Sequence, residues 1–348
     1  MTAPAHPRIP VALVTGFLGS GKTTLVNALL RRPAWADTAV VVNEFGEIGL
    51  DHLLIETASD NIVLLDSGCL CCAVQGGLKE TLADLFVRRV NGKVPPFMRV
   101  VVETSGLADP APLVNSLAAD ALVRAEYRLA AVVTTVDGIG GLRALDHEWE
   151  ARRQVAVADI VVVTKTDLAE SGALAGLESR IAQINPFAER AHSVRGDLAP
   201  ELVFASSEAR LTRRLGNSAA ATGEPQREYR LASEDHAAAA PGHLRDVTSV
   251  SIELRRPLAW AGIAAWCEYA REHFGERLLR VKALLDMKGG AAVVLHGMGG
   301  YFHPFERLTA WPAVERHSRL VCIARGVDAA ELRASMRLLE VREDTVSS

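Results

Sequence analysis

The stretch GFLGSGKTT at 16–24 fits the spacing G-x-x-x-x-G-K-[ST], and the chemistry of that spacing is phosphate binding. Gly16, Gly19 and Gly21 let backbone N–H groups converge on phosphate oxygens without a Cβ in the way. Ser20 belongs to the same cradle. Lys22 is placed to reach the β- and γ-phosphates, the Thr23 hydroxyl to ligate Mg2+, and Thr24 to touch the α-phosphate. A second candidate is ETSG at 103–106. Glu103 closes an apolar run, where an acid in a nucleotide-binding sheet stands beside Mg2+, directly or through a water. Gly106 can offer its N–H to the γ-phosphate and so register hydrolysis.

A third candidate, TKTD at 164–167, follows a late apolar run. A carboxylate at Asp167 can accept from guanine N1–H and N2–H2 together, a pairing that adenine cannot match. The stem of Lys165 can pack on the base or ribose. GTPases usually have Asn in the first slot of this motif, and here it is Thr164. GTP is therefore favoured over ATP on a looser match.

Three of the five cysteines, Cys69, Cys71 and Cys72, fall in GCLCC at 68–72. Thiolates are strong ligands for Zn2+ and other borderline-soft ions, and three of them around one ion leave a fourth position open, which suits transfer. Inert burial, a redox pair and a structural zinc site are the competing readings, although no second Cys-x-x-Cys exists to close a structural site. The acidic, Gly-punctuated NEFGEIGLD at 43–51 precedes the cluster. Glu44, Glu47 or Asp51 can act there as a nucleotide-sensing switch near Mg2+ or the carried ion; the bland reading is a polar loop.

These groups need a scaffold. Apolar runs at 9–14, 39–42, 61–65, 99–102, 129–136 and 160–163 predict strands; helical periodicity at 22–32 and 78–90 predicts helices between them. Such runs suit a central parallel sheet covered on both faces. The fold class expected is α/β, a P-loop NTPase with a doubly wound, mostly parallel sheet over 1–205. Residues 206–246 are rich in Ala, Ser, Glu and Arg, with weak periodicity, and read as a partly disordered linker. Over 247–348 a small α+β domain is expected. Its strands are predicted at 247–254, 278–285, 291–296, 301–305 and 319–324, and its helices at 258–273 and 329–339. In that domain Trp260, Trp266 and Tyr269 read as core, Cys267 and Cys322 as buried and inert, and His296 and His303 as polar turn residues.

The chain has 348 residues, enough for two domains, with 49% hydrophobic and 23% charged residues. A net charge of −4 without a polybasic surface points away from nucleic acid. No apolar stretch reaches the ~18 residues of a membrane span, and 1–10 lacks the layout of a secretory signal. The expectation is a cytoplasmic protein without a membrane partner.

Together these motifs resemble the CobW-type family of GTPases (cobalamin-synthesis-protein-like, zinc-chaperone-like), related to the nickel GTPases that mature urease and hydrogenase. GFLGSGKTT, NEFGEIGLD, GCLCC, ETSG and TKTD carry the likeness, joined by RPL at 256–258, HGMGGYFHP at 296–304 and SRLVCIARGVD at 318–328. The resemblance implies a GTP-dependent metal chaperone or insertase. Its P-loop is 16–24, its acidic Mg2+-site residue Glu103, its metal thiolates Cys69, Cys71 and Cys72. Two departures stand out: Ser67 replaces an Asn common before the cysteine motif, and the linker lacks a His-rich stretch, holding only His236 and His243.

The function expected is GTP hydrolysis coupled to delivery of a transition metal to a client metalloprotein. Zinc is the default; cobalt, iron and nickel stay open, as does a homo-oligomer. Turnover is expected to be slow, because no arginine finger or water-orienting Gln stands out. A nucleotide-gated metal sensor without delivery and an ATP-dependent small-molecule kinase are the alternatives.

Overall fold

The computed structural model describes residues 7–43, 64–65, 77–205, 210, 247–312 and 316–341. The chain divides into two compact units, 1–205 and 206–348. The predicted linker falls, apart from Arg210, outside the described residues.

The first unit alternates strands and helices. In order they are β1 (Ile9–Gly16), α1 (Lys22–Leu30), β2 (Thr38–Asn43), β3 (Leu64–Leu65), α2 (Gly77–Val90) and β4 (Arg99–Thr104). There follow α3 (Pro110–Ala119), α4 (Ala121–Glu126), β5 (Tyr127–Asp137), α5 (Gly141–His147) and α6 (Trp149–Val157). The unit ends with β6 (Ile160–Thr164), α7 (Ser171–Ile184), β7 (Glu189–Ser193) and α8 (Pro200–Phe204). The seven strands form one sheet in the order β3-β2-β4-β1-β5-β6-β7, and every pairing is parallel. Parallel strands need crossovers, and the helices supply them while covering both faces. Successive side chains of β1 therefore both meet core: Ala12 and Val14 pack with Leu25, Val26 and Leu29 of α1, while Val11 and Leu13 are buried on the opposite face. Each buried leucine contributes about 1.5–3 kcal/mol by leaving water.

Growth of the sheet reverses direction at β1, since β4 inserts between β1 and β2 and β5 adds on the other side. In open α/β sheets such a reversal opens a crevice at the carboxyl ends of the strands. The predicted helix 22–32 ends at Leu30, because Pro33 forces Arg32 into extended backbone. The apolar-run criterion predicts no strand at 189–193. β7 exists there as an edge strand in which exposed Arg190 and His192 alternate with the more sheltered Glu189, Ala191 and Ser193, so no continuous apolar run announces it.

The second unit is an antiparallel sheet with helices. Its elements are β8 (Val247–Leu254), α9 (Trp260–His273), β9 (Leu278–Asp286), β10 (Ala292–Met298), β11 (Tyr301–Phe302), β12 (Glu306–Leu308), β13 (Ser318–Arg325) and α10 (Ala329–Ser335). The order is β11-β10-β9-β13-β8, with β12 also on β10. Of the predicted strand 301–305 only Tyr301–Phe302 forms, and β12 starts beyond it at Glu306, consistent with Pro304, which has no N–H for a ladder. The core gathers Trp266, Ile263, Val281, Leu320, Cys322 and Leu332, and Trp266 Nε1 donates to Ser335 Oγ at 3.2 Å.

Trp260 corrects an expectation. At the first position of α9 it is 41% exposed and meets Phe305 edge-on, so it is not core. Tyr269 packs against the core from a half-buried position. Cys322 is buried, as expected, whereas Cys267 is only half-buried; burial pushes its thiol up to about 12 and that of Cys322 further still. No described helix is long and apolar enough to cross a membrane.

Candidate functional site

β1 delivers the phosphate loop at the reversal point. Ser20 N–H donates to Phe17 O at 3.1 Å and curls the loop. Gly21 then takes a left-handed backbone, φ +89°, as the cap of α1, a conformation cheap only for glycine. No side chain caps α1 and its first turn holds no acid. The positive end of the helix is thus kept for an anion instead of being consumed by the chain's own carboxylates or hydroxyls. Lys22 Nζ donates to Gly16 O at 3.0 Å and Phe17 O at 3.4 Å, folded back over the loop. Ser20 Oγ meets Thr135 Oγ1 of β5 at 2.7 Å and ties the loop to the sheet.

The register of β1 against β4 sets Val14 opposite Glu103. Glu103 is buried, 4% exposed, and its Oε1 accepts from Thr23 Oγ1 at 2.5 Å. A buried carboxylate needs charge compensation. Two oxygen donors at the phosphate end of a helix suit a hard divalent cation, so the residues present fit Mg2+. Beyond Glu103 the chain turns hard against the phosphate loop. A Cβ on Gly106 would stand 2.9 Å from Leu18 N and Cα, an approach only glycine permits.

On the other side of the loop stands the base-binding candidate. Thr164 Oγ1 donates to Ser20 O at 2.7 Å and stands 3.3 Å from Val136 O. The residue that departs from the usual Asn therefore still fastens the phosphate loop to β6. Lys165 Nζ donates to Gly19 O at 2.9 Å and to Asp137 Oδ2 at 2.8 Å. Its backbone is left-handed, φ +53°, a conformation that persists where neighbours over-determine it. Asp167 is exposed on the following turn, open to a ligand.

Three residues escaped the sequence reading. Asp137 ends β5 and holds Lys165. Ser193 ends β7 beside Thr164, is buried, and its Oγ has no hydrogen-bond partner among the described residues. Gln154, inside α6, bonds the loop after Glu103. The position of Asp137 at the end of an apolar run was a usable signal; Ser193 and Gln154 gave none.

Cys69, Cys71, Cys72, Glu44, Glu47 and Asp51 lie outside the described residues. The strands they follow are described: β2 and β3 are parallel neighbours, Val41 against Leu65, and Asn43 at the end of β2 stands opposite Thr104. β2 ends beside the site, with Val42 opposite Glu103. Among the described residues no group of three or more His, Cys, Asp or Glu side chains is arranged to hold a metal. His296 lies in β10, and His303 N–H donates to its carbonyl at 2.9 Å, closing the glycine turn between them.

Residues 10–191 match the family model described as CobW/HypB/UreG, nucleotide-binding domain, and residues 247–339 match the cobalamin synthesis protein cobW C-terminal domain. The chain belongs to the CobW/HypB/UreG family of P-loop GTPases. Among CobW-type relatives, the zinc chaperone YjiA of Escherichia coli is 29% identical, over 94% of this chain and 97% of the relative. The zinc chaperone CobW of Pseudomonas aeruginosa is 31% identical, over 95% and 91%. A crystal structure of Zn(II)-bound YjiA GTPase from E. coli superposes with a TM-score of 0.70 at 24% identity, covering 96% of this chain and 99% of that one, which shows a shared fold. Membership of a CobW-type GTPase family removes the support for a small-molecule kinase.

Proposed function

We propose that this CobW-type protein binds GTP with Mg2+ across the crevice at β1 and hydrolyses it. The cycle controls the passage of a transition metal, zinc first, from Cys69, Cys71 and Cys72 to a client metalloprotein. The observation that carries the nucleotide half is the Thr23–Glu103 contact beside an uncapped helix end, with Lys22 over the same loop. The metal half is supported by the names of relatives aligned over nearly the whole chain and by the thiolate chemistry of the cysteine motif.

Lys22 takes the β- and γ-phosphates in place of the loop carbonyls it now meets. Thr23 and Glu103 would hold Mg2+, which would neutralise charge building on the phosphate oxygens. The Gly106 N–H reports the γ-phosphate. Lys165 and Asp167 select guanine, with Lys165 held by Asp137. Glu44, Glu47 and Asp51 form the switch between nucleotide and cysteines, and the 1–205, 206–246 and 247–348 divisions serve as GTPase domain, linker and C-terminal CobW-like α+β domain.

The test is zinc affinity by competition with a chromophoric chelator, in GDP and in a non-hydrolysable GTP analogue. Wild type should differ between the two states, and the Cys69→Ser/Cys71→Ser/Cys72→Ser variant should lose the tight site. Equal affinity in both states, with the triple variant unchanged, would sink the coupling. Delivery is read separately, as zinc arriving in an apo-metalloprotein only when GTP is turned over.

A further inference from the structure

The loop between β4 and α3 is gripped from the side by two adjacent residues of α6. Gln154, 1% exposed, donates from Nε2 to Gly106 O at 3.1 Å and to Ala108 O at 3.1 Å. Both N–H groups of the amide are thereby used on one short loop. Arg153 pairs with Asp109 Oδ2 at 2.6 Å, while Asp109 Oδ1 accepts from Ala111 N–H at 3.1 Å and caps α3. Within the loop, Ala108 N–H donates to Ser105 O at 3.2 Å.

The orientation of the amide follows from its partners. Two carbonyls face it, and only an NH2 group satisfies both. Burying a primary amide costs free energy unless it is bonded; both N–H groups are bonded to the loop, which marks a built contact, while Oε1 has no hydrogen-bond partner among the described residues. α6 is itself anchored: Thr134 Oγ1 of β5 donates to Gln154 O at 2.8 Å, and Arg152 donates to Leu145 O at 3.1 Å and Asp146 O at 2.9 Å at the end of α5. The grip therefore ties the loop to the sheet and not to a loose helix.

The gripped carbonyl belongs to Gly106, the residue whose N–H is the γ-phosphate candidate: holding Gly106 O fixes the plane of the Gly106–Leu107 peptide, one Cα away from that N–H. On its other flank the same loop touches the phosphate loop at Leu18. We propose that Gln154, with Arg153, is a positioning residue for recognition of the γ-phosphate. It presets the Gly106 turn, so that the triphosphate does not have to order that turn on binding. A preset loop binds more tightly because its ordering cost is already met. This inference rests on the nucleotide reading above and adds the residues that set triphosphate over diphosphate.

The experiment compares a non-hydrolysable GTP analogue with GDP on the full chain, by fluorescence titration. Gln154→Met keeps an unbranched side chain and removes both donors. Its dissociation constant for the GTP analogue should rise about tenfold, the worth of roughly one net hydrogen bond, while that for GDP moves less than about twofold. Arg153→Met, at a more exposed site, should shift the same ratio in the same direction by about threefold. It decides the matter if Gln154→Met does not fold, with GDP affinity and melting temperature reporting the fold. A GTP-analogue to GDP ratio unchanged from wild type in the folded variants overturns the proposal. Wild type that binds neither nucleotide overturns the nucleotide reading itself, and this inference with it.

Discussion

The Thr23 hydroxyl and the Glu103 carboxylate meet at 2.5 Å although 80 positions separate them in the chain. β1 and β4 are direct neighbours, and their register sets Glu103 one strand away from the start of the phosphate loop. The pair should therefore act as one unit. Glu103→Gln, which keeps the volume and removes the charge, should slow GTP turnover about 100-fold or more. Thr23→Ala should abolish the tightening of GTP binding by Mg2+. The double variant should lose little beyond the worse single one, since both act through the same site. Phosphate release measured across the cycle checks this; additive losses would mean two separate roles.

Thr164 reaches Ser20 O at 2.7 Å. Thr164→Val keeps the shape and leaves a buried carbonyl short of a donor, which should cost about 1–2 kcal/mol of stability. GTP affinity should fall as well, because the loop it steadies is the phosphate loop. Thr164→Ser should retain both properties. Thermal denaturation and nucleotide titration, run side by side on the two variants, separate hydroxyl from packing.

Asp167 stands exposed beyond Lys165 and offers acceptors only. Asp167→Asn places a donor where guanine presents N1–H and N2–H2, so GTP affinity should fall by about tenfold or more. Xanthosine triphosphate, which carries a carbonyl in place of the 2-amino group, should gain. Competition between the two nucleotides measures the exchange. An Asn variant that still prefers GTP would remove Asp167 from the base site.

Cys267 carries a thiol pushed up to about 12 from 9.0 by burial. In the native protein it should resist alkylation at pH 8 and gain reactivity only as pH rises well beyond 9.0. The sign for stability follows from linkage: the folded state holds the proton longer than the unfolded one, so this group's contribution is intact below pH 9.0 and is lost as pH climbs toward about 12. Mass spectrometry of the alkylated peptide against pH, native and denatured, reads the shift directly.

Much of this was legible in the linear chain because it is local. The phosphate loop announces itself through glycine spacing between a strand and a helix, and β1, β4 and β6 appear as apolar runs because they are covered on both faces. β7 was hidden, since an edge strand has one sheltered side and tolerates Glu189, Arg190 and His192. Trp260 misled for the opposite reason: helical spacing records which residues are apolar, whereas the first position of α9 leaves that ring half outside the core.

Short motifs were enough to read an α/β plan in two domains and to single out Lys22, Thr23, Glu103, Lys165 and Asp167 as candidate site residues, because the spacing of each motif needs no distant partner. No motif shows that Glu103 meets Thr23, that Thr164 ties the phosphate loop to β6, that Asp137 holds Lys165, or that Gln154 grips the Gly106 turn; those contacts come from the folded chain. Each of those contacts joins segments brought side by side by strand order. Strand order depends on which apolar faces bury each other across the whole sheet, a sum over the domain that no short window of sequence contains.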